Sequence, residues 1–184
     1  MLEKTLKIRK STDSDKTDIA TIHTLAFGEE KGPEIATLVN GLFNDATALP
    51  SLSLVAIENK KVVGHILFTR AIVTGTTVST QLLGPLAILP DCQNRGVGHK
   101  LIKEGLTRLK TLDVALVFVL GHPDYYPRSG FKPAEVQGFQ APYPIPEKFS
   151  NAWMVKELFL GTIQNVSGKI QCCDVFSQPE HWRE

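Results

Sequence analysis

The stretch AILPDCQNRGVGHKLI, residues 87–102, places a strand end, a short polar loop and a helix start in immediate succession. The apolar run stops at Pro90, Gly96 and Gly98 follow the loop, and apolar residues then recur at helical spacing. The first turn of a helix leaves backbone N–H groups unpaired, and the helix dipole favours an anion beside them. Glycine lets a phosphate approach this backbone because it has no Cβ. The stretch therefore predicts an anion-binding turn between a strand and a helix.

The charges of this stretch suit an external anion. Arg95, His99 and Lys100 add positive charge, and no acidic residue lies between Gln93 and Lys100, although acids are favoured in a first helical turn. The alternative is that the glycines only form a tight loop and allow close helix packing, and this loop alone does not decide between the two. Two known phosphate motifs are absent: Leu101 stands where GxGxxG needs its third glycine, and no GxxxxGK run is followed by Ser or Thr.

Length and composition indicate one ordinary domain, residues 1–184. The chain is 42% hydrophobic and 21% charged with a net charge of +1, so neither nucleic acid nor an anionic membrane is an expected partner. No apolar run approaches the roughly 20 residues that cross a bilayer, and the N-terminus is too polar for a signal peptide. The 3 cysteines lack CxxC spacing and predict neither a zinc site nor a disulfide framework. We expect a reduced, cytoplasmic protein without a metal.

The pattern of apolar residues predicts an α/β fold with a sheet of mixed direction. The continuous apolar run 114–121 suits a central buried strand, and Gly84-Pro85 predicts a bulge, an edge or a break in pairing inside strand 80–89. Hairpins in the middle of the chain and one strand–helix–strand unit disfavour a doubly wound sheet. The remaining predicted elements are strands at 6–10, 51–58, 62–73, 152–160 and 169–176, and helices at 15–27, 33–43 and 96–110.

Two motifs together resemble the GNAT superfamily of N-acetyltransferases. QNRGVG at 93–98 matches the Q/R-x-x-G-x-G/A motif, and YPRSGF at 126–131 resembles the Y-x-x-x-G-F segment that follows the fifth strand. GPLAILP at 84–90 and GHPDYYPRSGF at 121–131 are similar to patterns of the bacterial YhbS-type members. The resemblance covers about residues 5–135 and leaves C-terminal strands and loops at 136–184. It implies a mostly antiparallel mixed sheet, flanked by helices, whose central strand pair splays to form an acyl-CoA cleft.

The resemblance also implies acetyl-CoA as co-substrate and a set of residues that bind it. The backbone of the fourth strand would pair with the pantetheine amides, and the turn after it would hold the pyrophosphate. The residues concerned are Leu86, Ala87 and Ile88 of the strand, and Gln93, Asn94, Arg95, Gly96, Val97, Gly98, His99 and Lys100 of the turn. The implied partner is an amine on a small molecule or a protein, and a homodimer stays open.

Acyl transfer to an amine needs a neutral amine, a stabilised carbonyl oxygen and a protonated or solvated leaving thiolate. The resemblance places Tyr126 near the thioester sulfur, and a phenol with a pKa of about 10 is a suitable donor to a thiolate. Tyr125 is the neighbouring alternative. Cys92 lies beside the turn without a histidine partner in sequence, so we expect direct attack by the amine rather than a covalent enzyme intermediate.

The general base is not evident from the sequence. His122, just after the fifth strand, is the expected base because of its placement and its ordinary pKa near 6.5. His65, Glu58, Glu34 and a water chain remain alternatives. Strand 81–89 carries no Glu or Asp, a common source of the base in relatives, and this keeps a non-catalytic acyl-CoA-binding or sensory domain as the second hypothesis.

The acceptor amine is also open at this stage. A protein N-terminus, a lysine side chain and a small-molecule amine are all compatible with the sequence. An α-amino group, with a pKa of about 7.7–8.0 against about 10.4 for lysine, needs less help from a base, so a low-pKa amine is favoured. The proline-rich segment 140–149 is predicted to form a loop over the acceptor side. A nucleic-acid partner is disfavoured because the basic residues of helix 96–110 are spread around it.

Overall fold

Nine strands form a mixed sheet in the computed structural model, which describes residues 5–183. The strands are β1 (Lys7–Lys10), β2 (Leu52–Glu58), β3 (Lys61–Val73), β4 (Thr80–Ile88), β5 (Leu116–Leu120), β6 (Lys132–Pro133), β7 (Phe139–Gln140), β8 (Trp153–Glu157) and β9 (Gly168–Cys172). The helices are α1 (Lys16–Phe43), α2 (Val97–Thr111) and α3 (Thr162–Asn165). None of the helices in the described part of the chain is long and apolar enough to cross a membrane.

The strand order is β1-β2-β3-β4-β5-β8-β6, with β9 on the far end of β3 and β7 on β9. The β4–β5 and β7–β9 pairs are parallel and the other pairs are antiparallel. This arrangement confirms the predicted α/β fold with a mostly antiparallel sheet of mixed direction. Residues 1–4 and 184 of the predicted domain lie outside the described residues.

Strand β4 parts from β5 about halfway along the length of β4. Ile66 of β3 faces Leu86 and Phe68 faces Leu83, so two residues of β4 oppose one of β3, and the bulge predicted at Gly84-Pro85 is confirmed. The parallel pairing of β4 with β5 ends where Leu83 meets Val119. Residues 84–88 therefore leave β5, and a gap opens in the middle of the sheet.

The two long helices cover opposite faces of this sheet. Ile66 and Phe68 of β3 pack in the buried cluster that contains Leu101 of α2, whereas Leu67 between them packs in the cluster that contains Leu42 of α1. Successive strand residues point to opposite faces, so the two clusters lie on the two sides of the sheet. We refer to these sides as the α2 face and the α1 face.

Helix α1 corrects one predicted boundary. The sequence predicts two helices, at 15–27 and 33–43, and the structure has one helical element, Lys16–Phe43, that is broken at Gly28. Gly28 has φ of 81°, in the left-handed region that glycine tolerates. The helix resumes before Pro33, which therefore lies inside the helix rather than at its first position as predicted.

The C-terminal strands are shorter than predicted. β8 ends at Glu157 rather than near 160, and β9 ends at Cys172, after which residues 174–176 form a 3₁₀ turn. Residues 174–183, the C-terminal tail, lie on the α1 face, since Phe176 and Trp182 belong to the same buried cluster as Leu42. The sequence did not predict β7 or α3, because both are too short to show periodicity.

Candidate active site

A cavity of about 1260 Å³ lies where β4 and β5 part. Residues 82–88 of β4 and residues 120–123, at and after the end of β5, line it, together with the first turn of α2 and residues of α1. Because α1 and α2 cover opposite faces, the cavity passes through the sheet. The splayed strand pair thus forms a cleft that is open to both faces.

The predicted anion-binding turn lines the end of this cavity on the α2 face. Gly96 caps α2 with φ of 81°, and the first helical bond runs from the Lys100 N–H to the Gly96 carbonyl at 3.1 Å. The N–H groups of Val97, Gly98 and His99 precede that bond and carry no helical partner. Gln93 Nε2 donates to the Ile88 carbonyl at 3.0 Å and closes the loop onto β4. The turn therefore presents a row of unpaired donors at the positive end of α2.

Tyr125 lies against this turn. A Cβ built on Gly98 would overlap the Tyr125 hydroxyl, so only glycine permits the approach. The Tyr125 ring stacks on His99 with centroids 4.4 Å apart, and His99 Nδ1 lies 3.4 Å from Ser129 Oγ. Burial raises the pKa of Tyr125 above its usual value. The phenol is therefore a neutral hydrogen-bonding group beside the helix start.

The structure brings most of the predicted cofactor residues together. Leu86, Ala87, Ile88, Gln93, Asn94, Gly96, Val97, Gly98 and His99 all line the cavity. Arg95 and Lys100 are exposed and are not among the lining residues. Arg95 Nη2 instead donates to Glu58 Oε1, at the end of β2, at a distance of 2.5 Å. This ion pair ties the turn to the β2–β3 hairpin, a contact that no local sequence pattern signals.

The two neighbouring tyrosines occupy different environments. Tyr126 is 9% exposed and lines the cavity, and its ring packs edge-on against Phe131 and Tyr125 at 5.8 and 5.1 Å. Burial, and to a lesser degree Tyr125, raises the pKa of Tyr126 well above its usual value. A Cβ on Gly121 would overlap the Tyr126 ring, so the strand end also depends on a glycine. Tyr126 is thus a protonated donor held rigidly beside the gap between β4 and β5.

The predicted bases divide into two groups. His122 lines the cavity with a side chain that is 76% exposed and Nδ1 4.0 Å from Asp124 Oδ2, and Glu34 of α1 also lines it. Glu58 forms an ion pair with Arg95, and His65 is fully buried and does not line the cavity. The structure therefore places two of the four residues at the site.

His65 belongs to a buried polar chain on the α1 face. His23 Nε2 lies 2.8 Å from His65 Nδ1, and His65 Nε2 lies 2.8 Å from Ser53 Oγ. Burial lowers the pKa of His23 to about 4 and that of His65 well below its ordinary value, so both rings are neutral at pH 7. The chain joins α1 to β3 and β2 inside the core.

Four lining residues lie on the C-terminal tail and were missed by the sequence analysis: Phe176, Glu180, His181 and Trp182. They lie in no recognisable motif. Their position depends on the tail folding back over the α1 face, which is a long-range packing effect. Phe149, at the end of the proline-rich segment, also lines the cavity.

Comparison with known proteins identifies the family of this chain. A family model described as the acetyltransferase (GNAT) domain matches residues 7–134, well over half of the chain. The chain belongs to the GNAT acetyltransferases. Its resemblance to that family, which rested on two motifs, is confirmed, and the family makes it an acyltransferase.

Relatives of this acetyltransferase extend the likeness over almost the whole chain. It is 45% identical over 164 residues to the uncharacterized N-acetyltransferase YjhQ of Escherichia coli K12, with 88% of each chain covered. The crystal structure of the N-acetyltransferase YhbS from Escherichia coli in complex with CoA has a TM-score of 0.84 at 25% identity, covering 97% of this chain and 95% of that one. A GNAT acetyltransferase from Brucella melitensis in complex with acetyl-CoA has a TM-score of 0.75 at 28% identity, covering 95% and 99%.

Metal chemistry has no candidate site among residues 5–183 of this acetyltransferase. No group of three or more His, Cys, Asp or Glu side chains in that range is arranged to hold an ion.

Proposed function

We propose that this acetyltransferase moves an acetyl group from acetyl-CoA to a primary amine by direct attack. The observation that carries the proposal is the cavity that passes through the sheet. The anion-binding turn lies on its α2 face, and a chamber lined by α1 and the C-terminal tail lies on its α1 face. The crystal structures of YhbS with CoA and of the Brucella protein with acetyl-CoA support the choice of co-substrate.

The residues of the cavity fit such a ligand. The N–H groups of Val97, Gly98 and His99 would hold the pyrophosphate at the helix start. Residues 84–88 have no β5 partner. Their backbone N–H and C=O groups on that side are available to the pantetheine amides, except at Pro85, which has no N–H, and at the Ile88 carbonyl, which accepts from Gln93 Nε2. When bound, acetyl-CoA supplies an acetyl group as a thioester, whose C–S bond breaks as the amine nitrogen forms the new C–N bond.

Two protons must move for the reaction to balance. The attacking amine loses one, and His122 accepts it from the cavity wall, where its exposed side chain can pass the proton to solvent. Tyr126 donates its hydroxyl proton to the sulfur as the C–S bond breaks and regains a proton from solvent through the cavity, so the proton lost by the amine and the proton gained by the thiolate balance. Its raised pKa keeps the phenol protonated, so it is a stable hydrogen-bond donor at neutral pH. A backbone N–H in the strand segment 86–88 would polarise the acetyl carbonyl.

Calorimetry with acetyl-CoA, followed by an assay of CoA thiol release with a panel of amines, tests the proposal. We expect binding at micromolar to millimolar acetyl-CoA and amine-dependent thiol release. Absence of binding at millimolar ligand would remove the co-substrate and the proposed function. Binding without thiol release from any amine would instead favour a non-catalytic acyl-CoA-binding domain.

A further inference from the structure

The family match ends at residue 134, yet a substantial part of the cavity wall comes after it. These lining residues are Phe149, Ala152, Phe176, Glu180, His181 and Trp182. The C-terminal tail that carries Phe176 and Trp182 covers the α1 face, opposite the anion-binding turn. The chamber on the α1 face is therefore completed by chain outside the matched domain.

The tail forms a fixed wall. Trp182 Nε1 donates to the Phe176 carbonyl at 2.8 Å, and its ring packs edge-on against Trp153 with centroids 5.5 Å apart. The Tyr143 hydroxyl donates to the Ser177 carbonyl at 3.0 Å, which fastens the proline-rich segment to the tail. Trp182 is only 2% exposed, so it acts as an anchor. A preformed wall binds a ligand without an ordering cost, which favours selection by shape.

Helix α1 and the proline-rich segment add apolar surface to the chamber. Phe27 and Leu38 of α1 line the chamber together with Phe149 from the proline-rich segment. Phe27 and Phe149 are 40% and 36% exposed, an unusual state for two phenylalanines in one cavity wall. An apolar ligand that covers these rings removes their surface from water, which is favourable in proportion to the area covered.

Two carboxylates line the chamber on the α1 face, and the cavity as a whole also contains the cations Lys31 and Arg128. Glu34 of α1 and Glu180 of the tail are exposed carboxylates that line the same cavity, and half-buried His181 lies edge-on to Phe176. Lys31, which also lines the cavity, is already engaged with another residue. Two carboxylates attract an ammonium group and repel a second carboxylate on the same ligand.

We propose that the acceptor is a small primary amine with an aromatic or branched apolar body and no carboxylate. The proposal rests on the proposed function and specifies its substrate class. The apolar body covers the rings of Phe27, Phe149 and Phe176, and the carboxylates of Glu34 and Glu180 draw the amine into the chamber. A peptide lysine, with an unbranched stem attached to polar backbone, leaves much of this aromatic surface uncovered.

The test compares four acceptors in the thiol-release assay with saturating acetyl-CoA. They are 2-phenylethylamine, ethylamine, phenylalanine and a lysine-containing peptide. We expect kcat/KM for 2-phenylethylamine to exceed that for ethylamine by roughly tenfold or more, because the ring becomes buried. Phenylalanine, which has the same ring and an added carboxylate, should fall at least about tenfold below 2-phenylethylamine. Amine titration followed by tryptophan fluorescence gives an independent readout, since Trp182 lines the chamber.

Matched variants locate the preference. Phe149→Ala should reduce the ratio of 2-phenylethylamine to ethylamine turnover, while Phe159→Ala, at a phenylalanine of similar exposure outside the cavity, should leave it unchanged. Glu180→Gln should narrow the gap between 2-phenylethylamine and phenylalanine, whereas Glu147→Gln, at an exposed carboxylate off the lining, should not. These variants lie at exposed positions, so their folding is not at issue.

The outcomes separate this inference from the proposed function. Thiol release that is equal for all four acceptors, or greatest with the lysine peptide or phenylalanine, overturns the acceptor class and leaves acetyl transfer intact. Acetyl-CoA binding without release from any acceptor overturns both. An apolar preference that persists unchanged in Phe149→Ala and Glu180→Gln would show that the selecting surface lies elsewhere and overturn the assignment to this chamber.

Discussion

The hydroxyl of Tyr125 lies against Gly98 and occupies the space that the Cβ of any other residue at position 98 would fill. The same tyrosine ring stacks on His99 at 4.4 Å, so one side chain covers two residues of the anion-binding turn. The glycine therefore has two consequences: it leaves backbone N–H groups accessible to a phosphate, and it admits the tyrosine.

Gly98→Ala tests which of these consequences controls binding. The added methyl group must displace Tyr125 or shift the helix start, and overpacking of this kind typically costs about 1–3 kcal/mol. We expect the Kd for acetyl-CoA to rise roughly tenfold, with unchanged far-UV circular dichroism. In Gly98→Ala/Tyr125→Phe the overlapping hydroxyl is gone. Recovery of affinity in the double variant assigns the loss to Tyr125, and no recovery assigns it to obstruction of the phosphate.

The Arg95–Glu58 pair yields a second prediction. If Arg95 acts by holding the turn in place, Glu58→Gln and Arg95→Gln should each raise the Kd for acetyl-CoA by a similar factor, about 3–10. The double variant should be no worse than either single one, because the two changes break the same contact. A much larger effect of Arg95→Gln than of Glu58→Gln in calorimetry would show that Arg95 contacts the ligand itself.

Local features of this region could be predicted from the sequence, whereas its long-range contacts could not. The turn at 93–98 and the bulge at Gly84-Pro85 were predictable because glycine and proline restrict backbone geometry locally, and apolar periodicity predicted where the strands around them lie along the chain. The Arg95–Glu58 pair joins residues 37 apart in sequence, and nothing at either position indicates its partner.

The α1 side of the cavity was the least predictable part. Glu180 and His181 line it because Trp182 anchors the tail against Trp153, a contact between indole rings 29 residues apart that no short motif encodes. His65, a predicted base, has instead a buried partner in His23, 42 residues earlier. Residues placed by long-range packing need the fold before they can be assigned to a site.

The buried His23–His65 pair predicts a loss of stability on mild acidification. In the unfolded chain His23 binds a proton below pH 6.5, and in the folded protein only below its lowered pKa of about 4. Between these values the unfolded state binds more protons, so the free energy of unfolding falls as pH falls, by roughly 2–3 kcal/mol from His23 alone between pH 7 and 4.5, and the lowered pKa of His65 adds to this loss. Urea denaturation across this range measures it.

Matched variants assign that loss to the pair. His23→Leu/His65→Leu removes both titrating groups and should flatten the pH dependence, while His122→Gln, at an exposed histidine, should keep it. Asp15, whose carboxyl accepts hydrogen bonds from Arg9, has a pKa lowered to about 2. Its contribution is lost only below pH 3.8, outside the histidine window. An unchanged slope in the double leucine variant would contradict the assignment.

Tyr126→Phe tests the proposed donor to the leaving sulfur. The change removes a hydroxyl that acts mainly in the transition state and keeps the ring packed against Phe131 and Gly121, so kcat should fall while the Kd for acetyl-CoA stays near its original value. General-acid catalysis contributes roughly 10²–10⁴-fold, and the raised pKa of Tyr126 weakens it as an acid, so we expect the low end, about 10²-fold.

Tyr125→Phe, which alters the hydroxyl over Gly98, should change binding more than kcat. If Tyr125→Phe lowers kcat and Tyr126→Phe does not, the donor is Tyr125; if neither does while chemistry limits the rate, the thiolate leaves without a tyrosine.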